Sequence, residues 1–330
     1  MNYNIFSSTA PAMPKPGKGT EFVKLALSQA SKDMREVLIP MAIPALAAHL
    51  TDVRFMYCDN KFYEMCGQMG HLIGPSGIGK AQLSHLVEAI MRPFRKHDEI
   101  EYKKLVDWQR QMKTKGANKE KPERPDVSFW FPPADITNPA FIQNAMALEK
   151  LGERTQYLNL PEVEMADKMC GGHRQVSQMV RNIYDCQRAG ALRATADGVT
   201  GNPVLRVNLT FTSTPDAARL FYKKDLTNGF FGRIPFAYKA RGERLGRIPR
   251  QGTYGQNFME QLDSYLLRLD NCKGAFTVKP LNKIADQLAE EMAKLADLAD
   301  DDMLWELSHR SIFSAWKKGA VLWILNDQQW

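Results

Sequence analysis

The sequence predicts an α/β fold whose central sheet is mostly parallel, followed by a helical C-terminal part. Between residues 69 and 240, short apolar segments alternate with segments whose apolar side chains recur at helical spacing. That alternation is typical of parallel strands joined by helices. From residue 255 onward, three helical patterns follow one another without such an alternation.

These patterns divide the chain into three parts. Residues 1–20 are polar and rich in small residues and proline, so we expect a flexible lead-in there. The core covers residues 21–254 and includes a charged insertion at about 95–126, and the helical part covers residues 255–330. Because the last helical pattern stays apolar almost to its end, we expect the natural chain, or a partner, to continue from there.

The first elements of the core are helices, a hairpin and a buried strand. Apolar residues at helical spacing predict one or two helices over residues 20–50. The segments VRFMYC and KFYEM flank Asp59-Asn60, a pair that favours a turn, and predict a short hairpin. MGHLIGP reads as a buried strand that runs into a glycine-rich loop, and AQLSHLVEAIMRPF has the spacing of an amphipathic helix.

The charged insertion differs in kind from its surroundings. Its first half has the composition of an exposed helix, and GANKEKPERP must be a loop. Two interpretations remain open, which are a solvated surface insertion and a basic tongue that contacts nucleic acid. The segment Val127–Phe131 that follows is predicted to be a second strand.

The remaining core elements continue the alternation. A helix is expected with Asn138 as its N-cap and Pro139 at its first position, and RTQYLNLPEVE then predicts a third strand. GHRQVSQMVRNIYDCQ has helical spacing. A hairpin follows, whose second arm continues into the core strand VLRVNLTFTST. The helix DAARLFYKKDL and the strand FFGRIPFAYKA, entered through a glycine, complete the core.

Composition favours a cytoplasmic protein with a polyanionic partner. Hydrophobic residues make up 44% of the chain and charged residues 25%, as in soluble globular proteins. The net charge of +7 leans towards nucleic acid. None of the five cysteines forms a C-x-x-C pair, which indicates free thiols in a reducing compartment. The apolar run Val37–Ala48 is too short to span a bilayer and contains prolines, so no membrane association is expected.

The stretch LIGPSGIGKAQ matches a phosphate-binding loop at seven of the eight positions from Gly74 to Ala81. In such a loop, glycines let backbone N–H groups converge on phosphate oxygens, and the next helix presents its positive N-terminal end. The context fits, because an apolar strand precedes the loop and an amphipathic helix follows it. Lys80 would then reach the β- and γ-phosphates of ATP. The predicted nucleotide-binding residues are Gly74, Pro75, Ser76, Gly77, Ile78, Gly79, Lys80, Ala81 and Gln82.

The magnesium side of this site departs from the pattern. The position after the lysine normally carries a hydroxyl that binds Mg²⁺, and here it is Ala81. In the candidate acid-bearing strand, Pro161 takes the place of the usual aspartate and Glu162 that of the catalytic glutamate. Three interpretations remain open. Mg²⁺ is held through waters by Glu162 and Asp135, or nucleotide binds without efficient turnover, or the register is shifted and Glu164 is the acid.

Five motifs resemble, in their order along the chain, those of the helicase-like P-loop family found beside or fused to primase modules in mobile elements and phages. They are LIGPSGIGKAQ, ITNPAFIQNAM, YLNLPEVE, VLRVNLTFTSTPD and NGFFGRIPF, within roughly residues 35–240. The resemblance implies a RecA-like or AAA-like P-loop NTPase core that acts in DNA replication or mobilisation. Relatives often carry Asp-Glu where this chain has Pro161-Glu162. Whether this chain shares the ATPase activity of the family depends on the effect of that difference.

The resemblance also suggests roles for residues downstream of the loop. Ser213 lies at the tip of the strand that ends in TST and would orient the attacking water near the γ-phosphate. The alternative is that these are polar turn residues. Arg233 matches a position where such families carry an arginine, which would reach the γ-phosphate of a neighbouring subunit. The alternative is an ion pair that holds the strand entry.

Basic residues near the second hairpin are candidates for DNA contact. Ring helicases often touch single-stranded DNA with a hairpin and basic residues. Arg188, Arg193 and Arg206 lie near the hairpin around residues 194–204. A further basic run, over residues 241–250, fits a solvated linker as well as a DNA contact.

These features lead us to expect an ATP-binding, helicase-like protein that acts on DNA, an ATPase with atypical metal-side residues. It would assemble as a ring or dimer, and a primase is a candidate partner. The alternative is a nucleotide-binding, DNA-binding or scaffold protein with little or no hydrolysis. A kinase of a small metabolite is a third and weaker interpretation, because such enzymes rarely need a basic insertion and terminal helices.

Overall fold

The computed structural model confirms a mixed α/β chain with an all-parallel four-stranded sheet and a helical C-terminal region. It describes residues 21–114, 122–152, 154–190, 198–223, 229–240 and 251–326. The helices are α1 (Glu21–Ser28), α2 (Arg35–Ala48), α3 (Ala81–Ile90), α4 (Arg92–Thr114), α5 (Asn138–Lys150), α6 (Met165–Cys170), α7 (His173–Tyr184), α8 (Pro215–Tyr222), α9 (Gln256–Asn271), α10 (Lys279–Ala299) and α11 (Asp302–Leu325). The strands are β1 (Val53–Met56), β2 (Phe62–Glu64), β3 (Met69–Ile73), β4 (Gln156–Leu160), β5 (Val207–Ser213), β6 (Phe236–Tyr238) and β7 (Gly274–Phe276).

The central sheet has the strand order β4-β5-β3-β6, and each neighbouring pair is parallel. In the register, His71 of β3 lies opposite Phe211 of β5 and Phe236 of β6. Every residue of β3 and β5 is buried because helices cover both faces of the sheet. Since the strands are parallel, their carboxyl ends at Ile73 and Leu160 lie on the same edge of the sheet.

Helix α2 packs against one face of this sheet and is almost entirely buried. The hydroxyl of Thr210 on β5 donates to the carbonyl of Met41 on α2 at 3.2 Å. Gly70 of β3 approaches the same residue so closely that an added Cβ would lie 2.9 Å from Met41 Sδ. Both prolines of the apolar run, Pro40 and Pro44, lie inside the helix. Within the described ranges, no helix is long and apolar enough to cross a membrane.

The opposite face of the sheet is covered by α5, α6, α7 and α8. Apolar residues of these helices form a second core with side chains of β4 and β5, among them Leu158, Leu209 and Phe211. The two cores are therefore separated by the sheet, and residues that alternate along each strand contribute to one core or the other.

A three-stranded sheet connects the two ends of the chain. β1 and β2 form the predicted antiparallel hairpin, and Asn60 in its turn has a φ of 62°. β7, from the C-terminal part, pairs with β1 in parallel. Helices α9 and α11 share one core with α1 and α2. The part after residue 255 therefore packs on the N-terminal helices.

The predicted second strand, Val127–Phe131, is not a strand. Its backbone groups are bound by side chains of neighbouring helices in place of a strand ladder. Asp98 of α4 is buried, and its two carboxylate oxygens accept from the N–H groups of Trp130 and Phe131, both at 2.8 Å. Desolvation raises the pKa of Asp98, and these hydrogen bonds oppose that shift.

Asn144 of α5 holds the middle of the same segment. Its amide accepts from the N–H of Phe129 at 2.7 Å and donates to the C=O of Phe129 at 2.8 Å. One strand-like bond remains, from the N–H of Tyr157 on β4 to the C=O of Trp130 at 2.9 Å. Side chains from α4 and α5 thus bind backbone N–H and C=O groups that neighbouring strands would otherwise have paired. The local sequence pattern does not reveal this pairing.

Two smaller predictions concern the helices on either side of that segment. Helix α4 runs to Thr114, as the composition of the insertion predicts, whereas residues 116–121 of the expected loop lie outside the described ranges. The prediction of Asn138 as the N-cap of α5 was wrong by one position, because the N-cap is Thr137, with extended backbone. Pro139 lies in the first turn, as expected.

Two of the five cysteines, predicted as free thiols, are joined in a disulfide. Cys66 precedes β3 and Cys186 follows α7, and the bond spans a sequence separation of 120. Cys58, Cys170 and Cys272 are free. The prediction was wrong for this pair because spacing along the chain carries no information about cysteines that only folding brings together.

Candidate phosphate-binding site

The loop Gly74–Lys80 connects the end of β3 to the start of α3 at the carboxyl edge of the sheet. The N–H of Gly74 donates to the C=O of Ser213 at 3.1 Å, so the start of the loop is fixed to β5. Gly77 and Gly79 have φ values of 80° and 91°, which L side chains rarely adopt. Strand, glycine loop and helix therefore follow in the predicted order.

The loop is also too tight for side chains at two of its glycines. A Cβ on Gly74 would lie 2.2 Å from Ile78 Cδ1 and 3.0 Å from the carbonyl oxygen of Lys239. A Cβ on Gly79 would lie 2.8 Å from Gln82 Nε2. A side chain at either glycine would therefore require Ile78 or Gln82 to move.

Lys80 is folded back over the loop. Its ammonium donates to the C=O of Gly74 at 2.5 Å and to the C=O of Pro75 at 3.2 Å. Partial burial lowers the pKa of Lys80, and the carboxylate of Glu162 opposes that shift. The cation thus lies at the mouth of the loop, held by carbonyls that a bound anion would replace.

Glu162 lies just past the end of β4 and is exposed, and its charge acts on Lys80 across the sheet edge. The strand ends before Pro161, whose carbonyl accepts from the hydroxyl of Thr212 at 2.6 Å. The Oδ1 atom of Asn159 is buried without a hydrogen-bond partner in the described part of the chain. The end of β4 therefore offers one charged oxygen ligand and no aspartate.

The two residues after Lys80 differ in what they offer. Ala81 is the first residue of α3 and is exposed, so no hydroxyl stands at this point. The amide of Gln82 is committed to Ser31, accepting from its N–H at 2.9 Å and donating to its hydroxyl at 2.8 Å. A contact of Gln82 with nucleotide would therefore come from its N–H, which here donates to the C=O of Gly79 at 3.0 Å.

Ser213 is 2% exposed, and its hydroxyl is bound to an interior histidine. Ser213 Oγ lies 2.8 Å from His71 Nε2, and the other ring nitrogen lies 2.8 Å from the hydroxyl of Tyr222. Burial lowers the pKa of His71 to about 3, so the ring is neutral and has one donor and one acceptor nitrogen. Thr214 caps α8 by accepting from the N–H of Ala217 at 3.3 Å. This geometry favours the interpretation of a polar strand end over that of a water-orienting group.

The carboxylates expected to hold Mg²⁺ do not form a cluster. Asp135 pairs with Lys168 of α6, and Glu164 is the N-cap residue of the same helix. In the described residues, no group of three His, Cys, Asp or Glu side chains is placed to hold a metal ion. Mg²⁺ commonly keeps several waters and binds one or two carboxylates besides the phosphates of a nucleotide. Glu162 is the residue suited to that role.

Arg233 lies in the 3-10 turn before β6 and is held within its own chain. Its guanidinium donates to the C=O of Gly229 at 2.8 Å and pairs with Asp185 at 3.1 Å. The same group lies 5.5 Å from the ring centroid of Tyr184, and the side chain is 16% exposed. This is the ion pair at the strand entry that the sequence left open, and contact with a neighbouring subunit would require it to break.

Two of the three candidate DNA-binding arginines are paired with carboxylates. Arg188 binds Glu149 of α5 at 3.0 Å, with its side chain 56% exposed. Arg206 binds Glu64 of β2 at 3.0 Å and is 14% exposed. Arg188 therefore keeps an accessible guanidinium, whereas Arg206 is partly buried and links β2 to the residue that precedes β5.

The hairpin itself is described only at its base. Arg188, which precedes the predicted first arm, forms an antiparallel bridge with Val204, and residues 191–195 of that arm lie outside the described ranges. Arg193 and the basic run 241–250 lie outside the described ranges.

Besides Asp98 and Asn144, sequence reasoning missed two further sets of polar residues in the interior. One is the hydrogen-bonded chain of Ser213, His71 and Tyr222 behind the glycine loop. The other is Lys317 and Lys318 of α11, which are 4% and 9% exposed. A histidine inside the apolar segment MGHLI was a visible signal, since a buried ring needs partners. Two lysines inside the apolar segment SIFSAWKKGAVLWIL were another.

The fold and the site define a mixed α/β protein with a lysine-bearing glycine loop at the carboxyl edge of a parallel sheet. No protein-family model matches the chain, and no curated protein matches it either. Its function is therefore argued from the geometry of the loop and its neighbours.

Proposed function

We propose that this chain is a P-loop NTPase of the RecA-like or AAA-like type that binds ATP through Gly74–Gln82. It acts in the cytoplasm, on DNA, in the replication or mobilisation of a mobile element. The observation that carries the proposal is the ammonium of Lys80, which is seated on the carbonyls of a glycine loop that joins a buried strand to a helix. The topology supports it, because the loop lies at the carboxyl edge of a parallel sheet, where open α/β sheets commonly bind their ligands.

Nucleotide binding would exchange the partners of Lys80. Phosphate oxygens would replace the carbonyls of Gly74 and Pro75, and backbone N–H groups of the loop and of the first turn of α3 would bind the same phosphates. Mg²⁺ would neutralise phosphate charge, held by the nucleotide, by waters and by Glu162. Hydrogen bonds to charged groups contribute roughly 1.5–3 kcal/mol each, so the loss of Lys80 should weaken ATP binding at least about tenfold.

Calorimetric titration of ATP into the wild type and the Lys80→Ala variant tests the phosphate loop. We expect at least about tenfold weaker binding by Lys80→Ala. Lys223→Ala, at the exposed end of α8, is the control and should bind ATP as the wild type does. Equal affinity of the wild type and Lys80→Ala would refute the assignment of the loop.

A second function is favoured by the state of three side chains around the loop. Ala81 supplies no hydroxyl, Ser213 is bound to His71, and Arg233 is bound to Asp185. We infer as the alternative a nucleotide-gated DNA-binding or scaffold protein with little or no turnover. The groups that would complete hydrolysis are either absent or engaged elsewhere, whereas the phosphate side of the loop is complete.

ATPase assays with and without single-stranded DNA separate the two functions. Turnover by the native chain that DNA stimulates would exclude the scaffold. Absence of turnover in the native chain, together with its appearance in the double variant Ala81→Thr with Pro161→Asp, would support the scaffold and locate the defect on the metal side.

DNA as the partner is supported by the net charge of +7 and by the resemblance of the motifs. We propose single-stranded DNA, a homo-oligomer and a primase partner as parts of the same function.

Fluorescence anisotropy with an oligonucleotide should show affinity that falls steeply with salt. Arg188→Ala should weaken that binding without loss of stability, whereas Arg206→Ala should destabilise the fold by leaving Glu64 without this partner. Unchanged DNA affinity in Arg188→Ala would remove this residue from the interface.

A further inference from the structure

A cavity of about 390 Å³ lies between α2, the segment Phe231–Phe236 and α11. Its volume falls within the range of roughly 300–1,000 Å³ that is typical of small-molecule sites. It is separate from the phosphate loop, none of whose residues line it. Most of its wall is apolar and includes Met41, Phe231, Ile234, Phe236 and Leu307.

The polar groups of the cavity come from one stripe of α11. Ser311, Ser314 and Lys318 follow one another at spacings of three and four, so they lie on one face of the helix. Lys318 is 9% exposed, and its ammonium donates to the C=O of Met69 at 2.9 Å. That is the one hydrogen bond that the described residues provide for its three N–H donors.

No carboxylate of the described residues compensates the charge of Lys318. Burial lowers the pKa of Lys318 to about 7, and the like charge of Lys317 lowers it further in the same direction. Lys317 is buried as well and donates to the C=O of Cys66 at 2.6 Å. The carboxylates of Glu64 and Asp185 act on Lys317, and no carboxylate is among the groups that act on Lys318.

We propose that this cavity binds a small apolar monocarboxylate, whose carboxylate pairs with Lys318 Nζ and whose hydrocarbon part contacts Met41, Phe231 and Leu307. A buried charge without a partner is costly, and an opposite charge within about 4 Å offsets that cost strongly in a weakly polar interior. The two oxygens of a carboxylate match the two N–H donors that remain. An apolar wall with a single cation selects a monoanion over a phosphate ester, which needs more donors.

Calorimetry with shape-matched ligands tests the proposal on the wild-type chain. Benzoate is compared with benzamide, and 4-phenylbutanoate with 4-phenylbutanamide, at neutral pH. We expect at least one of the two acids to bind about tenfold or more tightly than its neutral amide, because the amide provides shape without charge. Failure of both acids to bind at millimolar concentration, or equal affinity of each acid and its amide, would overturn the proposal.

Variants locate the site. Lys318→Met should abolish the preference for acid over amide, whereas Lys317→Met should keep or strengthen it, because the like charge beside Lys318 is removed. Ala315 is an exposed residue of the cavity wall, and Ala315→Trp should block both ligands without disturbing the core. Ala299→Trp, exposed on α10 and not part of the wall, is the matched control.

If Ala315→Trp still binds the acid more tightly than its amide, the ligand binds elsewhere and the proposal is wrong. This outcome stands even where Lys318→Met fails to fold, since Ala315→Trp changes only an exposed position. The phosphate loop is a separate site, so ATP affinity should be the same in all these variants, and failure of either proposal leaves the other in place.

Discussion

Replacement of Lys318 by methionine is expected to weaken the rise of stability between about pH 7 and pH 9. In the folded chain, burial and the neighbouring Lys317 lower the pKa of Lys318 to about 7. An unfolded lysine titrates near 10.4. Between these two values the unfolded chain binds more protons than the folded chain, so the free energy of unfolding increases as the pH rises.

The size of the effect follows from these two pKa values. The slope approaches about 1.4 kcal/mol per pH unit once Lys318 has lost its proton in the folded chain. Because Lys318 is about half protonated at pH 7, its contribution integrated to pH 9 is roughly 2 kcal/mol. Lys317, with a pKa lowered to about 8, adds to the slope in the wild type.

Urea unfolding at the two pH values, followed by the fluorescence of the six tryptophans, measures this difference. The wild type should gain roughly 2 kcal/mol more than Lys318→Met between pH 7 and pH 9. Lys294→Met, at an exposed position of α10, should behave as the wild type and corrects for all other titrating groups. Parallel gains in the wild type and in Lys318→Met would refute the reasoning, because they would mean that Lys318 titrates normally in the folded chain.

Three further predictions concern the loop, the segment beside the sheet and the disulfide. Gly79→Ala forces an L residue to a φ of 91° and puts a Cβ 2.8 Å from Gln82 Nε2, so ATP affinity measured by calorimetry should fall about tenfold or more. An unchanged affinity would show that the loop relaxes without cost. Asn144→Ala leaves the N–H and C=O of Phe129 without this partner, so the free energy of unfolding measured in urea should fall by roughly 2–4 kcal/mol. A fall below about 0.5 kcal/mol would contradict the role of Asn144. Reduction of the disulfide should lower the free energy of unfolding by roughly 2–4 kcal/mol. Cys186→Ser should show no such response to reductant, and a response equal to that of the wild type would argue against this bond.

The elements that sequence predicted well are those determined by neighbours along the chain. The strand before the glycine loop is short and apolar, the loop has glycines at positions of positive φ, and the helix after it has a regular apolar face. The hairpin turn at Asn60 and the three C-terminal helices follow from equally local signals. Val127–Phe131 has the composition of a strand, yet its partners Asp98 and Asn144 belong to two different helices. Composition alone does not identify such distant partners, so that prediction was wrong.

In the candidate site, too, some features follow from neighbouring residues and others from contacts between distant elements. The sequence by itself determined the glycine loop, its lysine and the missing hydroxyl at Ala81, because residue type and backbone conformation at adjacent positions fix them. Only the tertiary structure decided that Glu162 acts on Lys80, that Arg233 is bound within its own chain and that Lys318 is buried without a carboxylate. The physical reason is the distance along the chain over which each interaction acts. Backbone preference extends over a few residues, whereas hydrogen bonds, charge pairs and desolvation depend on distances between elements that only the packed chain establishes.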